Sequence, residues 1–189
     1  MGKVYVLGLD PGFASFGYGV VELLRDSERI VEVNVIRTKK DAKKRAVLAA
    51  DDNFRRARAI YAALIEVVDR YHPVVVAAET MSFPRDASAA AKVAMAWGVI
   101  SAIAESRQLP MAQASPMKIK QSVAGNPKAS KEDVQSALRR RYVGQFFPFQ
   151  KALPQGQWEH GYDAIGSIVT CLDGDVLRMA RGTVNARGE

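Results

Sequence analysis

The stretch VYVLGLDPG, residues 4–12, limits what this chain can fold into more than any other. Val4, Tyr5, Val6, Leu7 and Leu9 are β-formers with almost no polar relief, the pattern of a central strand covered on both faces. The run ends on a carboxylate, Asp10, followed by Pro11 and Gly12. Taken alone, Asp10 reads as a turn aspartate capping its own backbone, because Pro fixes φ and Gly tolerates positive φ. A charge at the end of a buried strand nevertheless costs free energy unless something positive meets it. A second stretch repeats the arrangement: PVVVAAE, residues 73–79, reads as a short buried strand ending on Glu79.

The rest of the chain supplies a sheet for these two strands. Phe16–Leu24 and Arg29–Thr38 read as strands joined by short links, hence antiparallel neighbours. A charged stretch then leads into a helix from about Asn53 to Tyr71, with Phe54, Ala57, Tyr61, Leu64, Ile65 and Val68 at helical spacing. Ser88–Arg107 reads as a long Ala-rich helix and Leu109–Ala114 as a fifth strand. Ser115-Pro116 opens a helix carrying Lys118 and Lys120. Ser130-Lys131-Glu132-Asp133 resembles a capping box for the next, which ends in Arg139–Arg141. Residues 143–158 read as irregular, a last helix is expected over 159–180, and 181–189 are expected to fray. The order predicts an α/β fold in a single domain, 1–189. Its mixed five-stranded sheet has three antiparallel strands, then two parallel ones, with helices on both faces.

Charge narrows the partner. Lys and Arg number 27 against 20 Asp and Glu, a net +7 that favours a polyanion, nucleic acid ahead of membrane. No apolar run is read as membrane-spanning, and the N-terminus runs directly into a strand with no signal peptide. The single cysteine, Cys171, rules out a disulfide framework or a thiolate metal cluster within one chain and suits reducing cytoplasm.

The last helix brings two more groups, His160 and Asp163, three residues apart and so on one helical face. Each of the four has an ordinary explanation: a loop start for Glu79, first-turn N–H groups for Asp163, a surface cap for His160. The need that unites them is a divalent metal. Mg²⁺ takes hard oxygen ligands and keeps several waters. Two such ions about 4 Å apart can activate a water and stabilise the leaving oxygen of a phosphodiester.

The motifs LGLDPG…GYGVV, VVVAAE, KIKQSVAG…SKEDVQ and HGYDAIG resemble, in order and spacing, those of the RuvC family of Holliday-junction resolvases. The resemblance runs from about Val4 to Cys171. It implies a ribonuclease H-like, homodimeric endodeoxyribonuclease with two Mg²⁺ per site, Mn²⁺ substituting, that cuts branched DNA, four-way junctions above all. By position, Asp10, Glu79, Asp163 and His160 would be its catalytic metal-site residues, with His160 either a neutral ligand or a cation serving the leaving oxygen. Lys120 and Lys131 match lysines near the scissile phosphate, and Lys118, Phe83 and Arg85 join them as DNA contacts, Phe83 as a stacking aromatic or a packing residue. The helix Ala89–Ala104 matches the dimer helix. The setting would be bacterial nucleoid or phage-infected host cytoplasm. The basic insert around Asp41–Asp52 and the segment 143–158 exceed the family's usual lengths and suggest a divergent, broadly acting member. Two other readings stand beside this one: a non-catalytic branched-DNA-binding protein on the same scaffold, and an actin- or sugar-kinase-like phosphotransferase. The second needs another Asp-x-Gly loop and about twice the length.

Overall fold

A computed structural model describes residues 3–40, 48–81 and 84–186. Its strands are β1 (Val4–Asp10), β2 (Ser15–Leu23), β3 (Glu28–Arg37), β4 (Val75–Glu79) and β5 (Met111–Ala114). They form one sheet in the order β3-β2-β1-β4-β5. β1 pairs antiparallel with β2 and β2 with β3, while β1 with β4 and β4 with β5 are parallel. This is the mixed sheet expected from the sequence.

Side chains alternate across a strand, so parity assigns the residues of β1, β2 and β4 to faces. Val4 and Val6 of β1, Val21 and Leu23 of β2, and Val75 and Ala77 of β4 share one core. Leu7 and Leu9, Val20, and Val76 and Ala78 share the other. The second face is covered by α1 (Ala49–Tyr71) and α2 (Ala87–Ser106) through Ile60, Leu64, Trp97, Ile100 and Ile103. The first is covered by α3 (Pro116–Ala124), α4 (Lys131–Arg141), α5 (Phe147–Ala152) and α6 (Trp158–Cys171), with α7 (Asp175–Ala186) alongside. Asp10 continues the parity of Val4 and Val6, and Glu79 that of Val75 and Ala77. Both carboxylates therefore stand on the α6 face.

Helix α6 lies unusually close to that face because two strand positions carry no side chain. A Cβ at Gly8 would overlap the Ala164 carbonyl oxygen, and one at Gly17 the His160 carbonyl oxygen. Alanine at either position would push α6 away from β1 and β2.

Helix starts follow the expected chemistry. Ser115 caps α3 with Pro116 at its first position, and Ser130 and Asp133 form a reciprocal capping box at α4. Other boundaries differ. Residues 143–158 are not irregular throughout: α5 and a short 3₁₀ turn, Gln155–Gln157, lie within them. Phe149 of α5 is buried in the core, a tertiary contact that supports a helix too short to persist alone. The single helix expected over 159–180 is two, broken around Asp173-Gly174, and the second continues through 181–186 where fraying was expected. Residues 187–189 lie outside the described residues. Helix α1 starts at Ala49, so the end of the basic insert is helical, with Asp51 and Asp52 in its first turn. Residues 41–47 of the insert lie outside the described residues.

Contrary to the reading that no apolar run reaches membrane-spanning length, α2 is long and apolar enough to cross a membrane by composition, with mean hydropathy 1.5. Here Trp97, Ile100 and Ile103 pack it against the sheet and α1.

Candidate active site

Parallel pairing of β1 and β4 places Leu9 beside Ala78, and the next residue on each strand is a carboxylate, Asp10 and Glu79. Above them the first turns of α6 present His160 and Asp163. The four line one cleft of about 410 Å³, together with Pro116, Ile119 and Lys120 of α3 and Lys131 and Val134 of α4. The cleft thus has an acidic floor, an apolar wall and two lysines on its rim.

His160 Nδ1 lies 2.7 Å from Asp10 Oδ2. The imidazole donates there, leaving Nε2 for other partners. This hydrogen bond raises the His160 pKa, with burial opposing it and the charge of Asp10 adding to it. In the metal-free site the ring thus holds its proton more tightly than a free imidazole does.

The carboxylates crowd one another. Burial first and then the charge of Asp10 raise the Asp163 pKa to about 7, with Lys131 opposing. Burial and then Asp10 likewise raise Glu79, again against Lys131. Lys131 does not neutralise the floor alone, because its Nζ pairs with Glu159 Oε2 at 2.7 Å. That bond raises the pKa of the lysine and lowers that of Glu159.

A floor of several carboxylates lacking a matching cation fits a divalent metal. Among the described residues no three His, Cys, Asp or Glu side chains converge tightly enough to form a ready-made cage. Mg²⁺ does not require one, since it is held by one or two carboxylates with waters and substrate phosphate completing its shell. Asp10, Glu79, Asp163 and His160 supply donors of the right kind.

The DNA-contact residues expected from sequence divide. Lys120 and Lys131 line the cleft. Lys118 is exposed and absent from its lining, because residues two apart on a helix are about 200° apart around its axis. Arg85 is exposed in the bend before α2 and is likewise no part of the cleft wall. Phe83 lies outside the described residues. Sequence reasoning missed Glu159. Its one signal was its place beside His160 at the start of α6; its partner Lys131 is 28 residues away.

Comparison with known proteins points the same way. Residues 6–142 match the family model described as crossover junction endodeoxyribonuclease RuvC. The RuvC of Moorella thermoacetica is 38% identical over 134 residues, covering 71% of this chain and 75% of the relative. That of Porphyromonas gingivalis is 31% identical over 150 residues, 79% of this chain and 73% of the relative. The solved structure of T. thermophilus RuvC in complex with Holliday junction substrate superposes with a TM-score of 0.71 at 27% identity. That superposition covers 96% of this chain and 97% of the other. The family match contains Asp10, Glu79, Lys120 and Lys131 but ends before α6, so His160 and Asp163 join the site through the fold.

Proposed function

The chain belongs to the RuvC family of crossover junction endodeoxyribonucleases, and from that premise we propose that it resolves four-way DNA junctions by paired hydrolytic nicks leaving 5′-phosphate ends. The observation that carries this reading is the convergence of Asp10, Glu79, His160 and Asp163 in one cleft beneath Lys120 and Lys131. Asp10, Glu79 and Asp163, with His160, would hold two Mg²⁺ per site, with Mn²⁺ able to replace them. Divalent metal bound there would activate the attacking water and stabilise the leaving oxygen.

The chain's own residues bind and orient. Lys120 and Lys131 set point charges against the scissile phosphate, Lys131 while one of its three N–H donors is held by Glu159. His160 steadies Asp10 through Nδ1, which leaves Nε2 available to a metal or a leaving oxygen. Ile119 and Val134 form a dry wall that strengthens these charges.

Paired nicking requires two sites related by an axis, as an isologous dimer provides. Helix α2 is the dimer element in this reading. Its exposed face carries Ala91, Ala94, Gly98, Ser101 and Ala102, and a Cβ on Gly98 would meet nothing within 4 Å. Two backbones can approach closely over such a stripe. The whole chain acts as one nuclease domain in the cytoplasm.

The test is cleavage of four-way, three-way, flap and linear duplexes in Mg²⁺, Mn²⁺ and EDTA. Paired nicks confined to branched DNA and abolished by EDTA are expected. Binding to junctions without cleavage in either metal would favour the non-catalytic reading.

A further inference from the structure

The turn that carries Asp10 is anchored from the side of the sheet opposite α6. Between β1 and β2 the chain has only residues 11–14. The Phe13 carbonyl in that link accepts two buried hydrogen bonds, from Thr38 Oγ1 at 2.6 Å and from Arg56 Nη2 at 3.3 Å. Arg56 Nε also donates to Thr38 Oγ1 at 2.8 Å, and the Thr38 N–H donates to the Ala14 carbonyl at 3.0 Å. The Arg56 guanidinium stacks 4.6 Å over the Phe13 ring. Within the turn, Gly12 N–H donates to the Asp10 carbonyl at 2.8 Å.

This arrangement is costly. Arg56 is 3% exposed, its Nη1 has no hydrogen-bond partner, and the Asp52 carboxylate stands 4.0 Å from it. An apolar residue of similar length would fill the space without burying a charge. What the guanidinium supplies instead is direction. Three groups from two distant segments, the end of β3 and the second turn of α1, converge on the link after Asp10.

We infer that Arg56 and Thr38 are positioning residues of the active site, which fix the Asp10 turn from behind while His160 meets Asp10 in front. Neither touches the cleft. Their effect passes through the Phe13 carbonyl and the short link to the Asp10 backbone, and so to where the carboxylate stands relative to Glu79. Misplacing a reacting group by an ångström can cost about 100-fold in rate. The inference rests on the nuclease reading for its kinetic consequences and on the structure alone for the clamp.

The experiment compares Arg56→Met, Thr38→Val and Thr38→Ser with wild type, each at a temperature where it is fully folded by circular dichroism. Thr38→Val keeps the side chain's shape and removes only the hydroxyl; Thr38→Ser restores that hydroxyl. Expected for Arg56→Met and Thr38→Val is a loss of about 10-fold or more in single-turnover nicking at saturating junction, with junction Kd within about twofold. Mn²⁺ binding by calorimetry, with Asp10→Asn as the baseline, should weaken several-fold in both. Amide hydrogen exchange in the peptide covering residues 10–14 should accelerate, and Thr38→Ser should behave as wild type. Folded Thr38→Val that binds Mn²⁺ and nicks like wild type overturns the inference, as does a defect confined to junction Kd. If wild type nicks no junction, the nuclease reading falls instead, and Mn²⁺ affinity with hydrogen exchange still decides the clamp.

Discussion

His160 Nδ1 and Asp10 Oδ2 meet at 2.7 Å across 150 residues of chain. The contact joins the end of the first strand to the first turn of α6, and Gly17 lets that turn come close enough. Removing the carboxylate charge should therefore disturb both metal and imidazole. Asp10→Asn should lower junction nicking in Mg²⁺ by at least about 1000-fold, within the scale of losing one carboxylate from a set of catalytic residues that act as a unit. Junction binding should be unchanged or tighter, because less negative charge faces the phosphate. Near-normal nicking by this variant in Mg²⁺ would sink the metal-site assignment.

The same pair sets a test of the histidine. A neutral metal ligand requires loss of the ring proton, so activity should rise with pH through the imidazole pKa. A cationic role makes activity fall there instead. In the metal-free protein the bond to Asp10 raises that pKa, whereas divalent cations bound beside the ring oppose protonation, so the direction of the pH trend separates the two roles. His160→Ala should lose most of the cleavage while still binding junctions, and His160→Asp should restore it. Wild-type nicking by the alanine variant would reduce His160 to a surface cap.

Crowded carboxylates should show in the stability of the metal-free protein. Asp163 binds its proton more tightly folded (pKa about 7) than unfolded. Between the two values the folded state holds more protons, so stability falls as pH rises from about 4 to about 7. His160 adds to the trend, since its raised pKa confers stability below the ordinary value that is lost as pH passes the folded one. Asp163→Asn should accordingly stabilise the metal-free protein at pH 8 by roughly 2 kcal/mol, after allowing for its partial exposure, and by little at pH 4. Added Mg²⁺ should raise the Tm of wild type more at pH 8 than at pH 5. A Tm of metal-free wild type independent of pH from 4 to 8 would contradict the crowding.

Lysine contacts to phosphate predict a salt signature. Lys131→Gln and Lys120→Gln should each reduce the slope of log Kd against log salt by about one, whereas Lys118→Gln should alter it little. Filter binding from low to physiological salt measures this, and equal slopes for all three variants would remove Lys120 and Lys131 from the phosphate path.

The exposed small-residue face of α2 predicts dimers. Ala94→Arg or Gly98→Arg should yield monomers by light scattering that bind junctions poorly and make uncoupled single nicks. A wild-type protein that stays monomeric with junction bound would end the symmetric model.

Much of this was legible from residue order because it depends on short-range periodicity. Alternation along a strand puts Asp10 in phase with Val4 and Val6, and Glu79 in phase with Val75 and Ala77. The three-residue spacing of His160 and Asp163 puts both on one face of a helix. Caps at Ser115 and Ser130 are likewise local, formed within four residues. By themselves these patterns determined a mixed sheet with helices on both faces and named four residues for one site.

What only the tertiary structure decided depends on contacts between distant segments. The pairing of Lys131 with Glu159, the clamp of Arg56 and Thr38 on the Phe13 carbonyl, and the core contact of Phe149 that supports α5 each join parts of the chain with no shared period. The two lysines of α3 make the point within one helix. Lys118 and Lys120 are equivalent as letters, yet only the way α3 packs on α6 through Ile119 determines which of them faces the cleft. Local spacing fixes which residues share a face; the packing of that face against the rest of the chain fixes where it points, because burial of apolar area is a property of the whole fold.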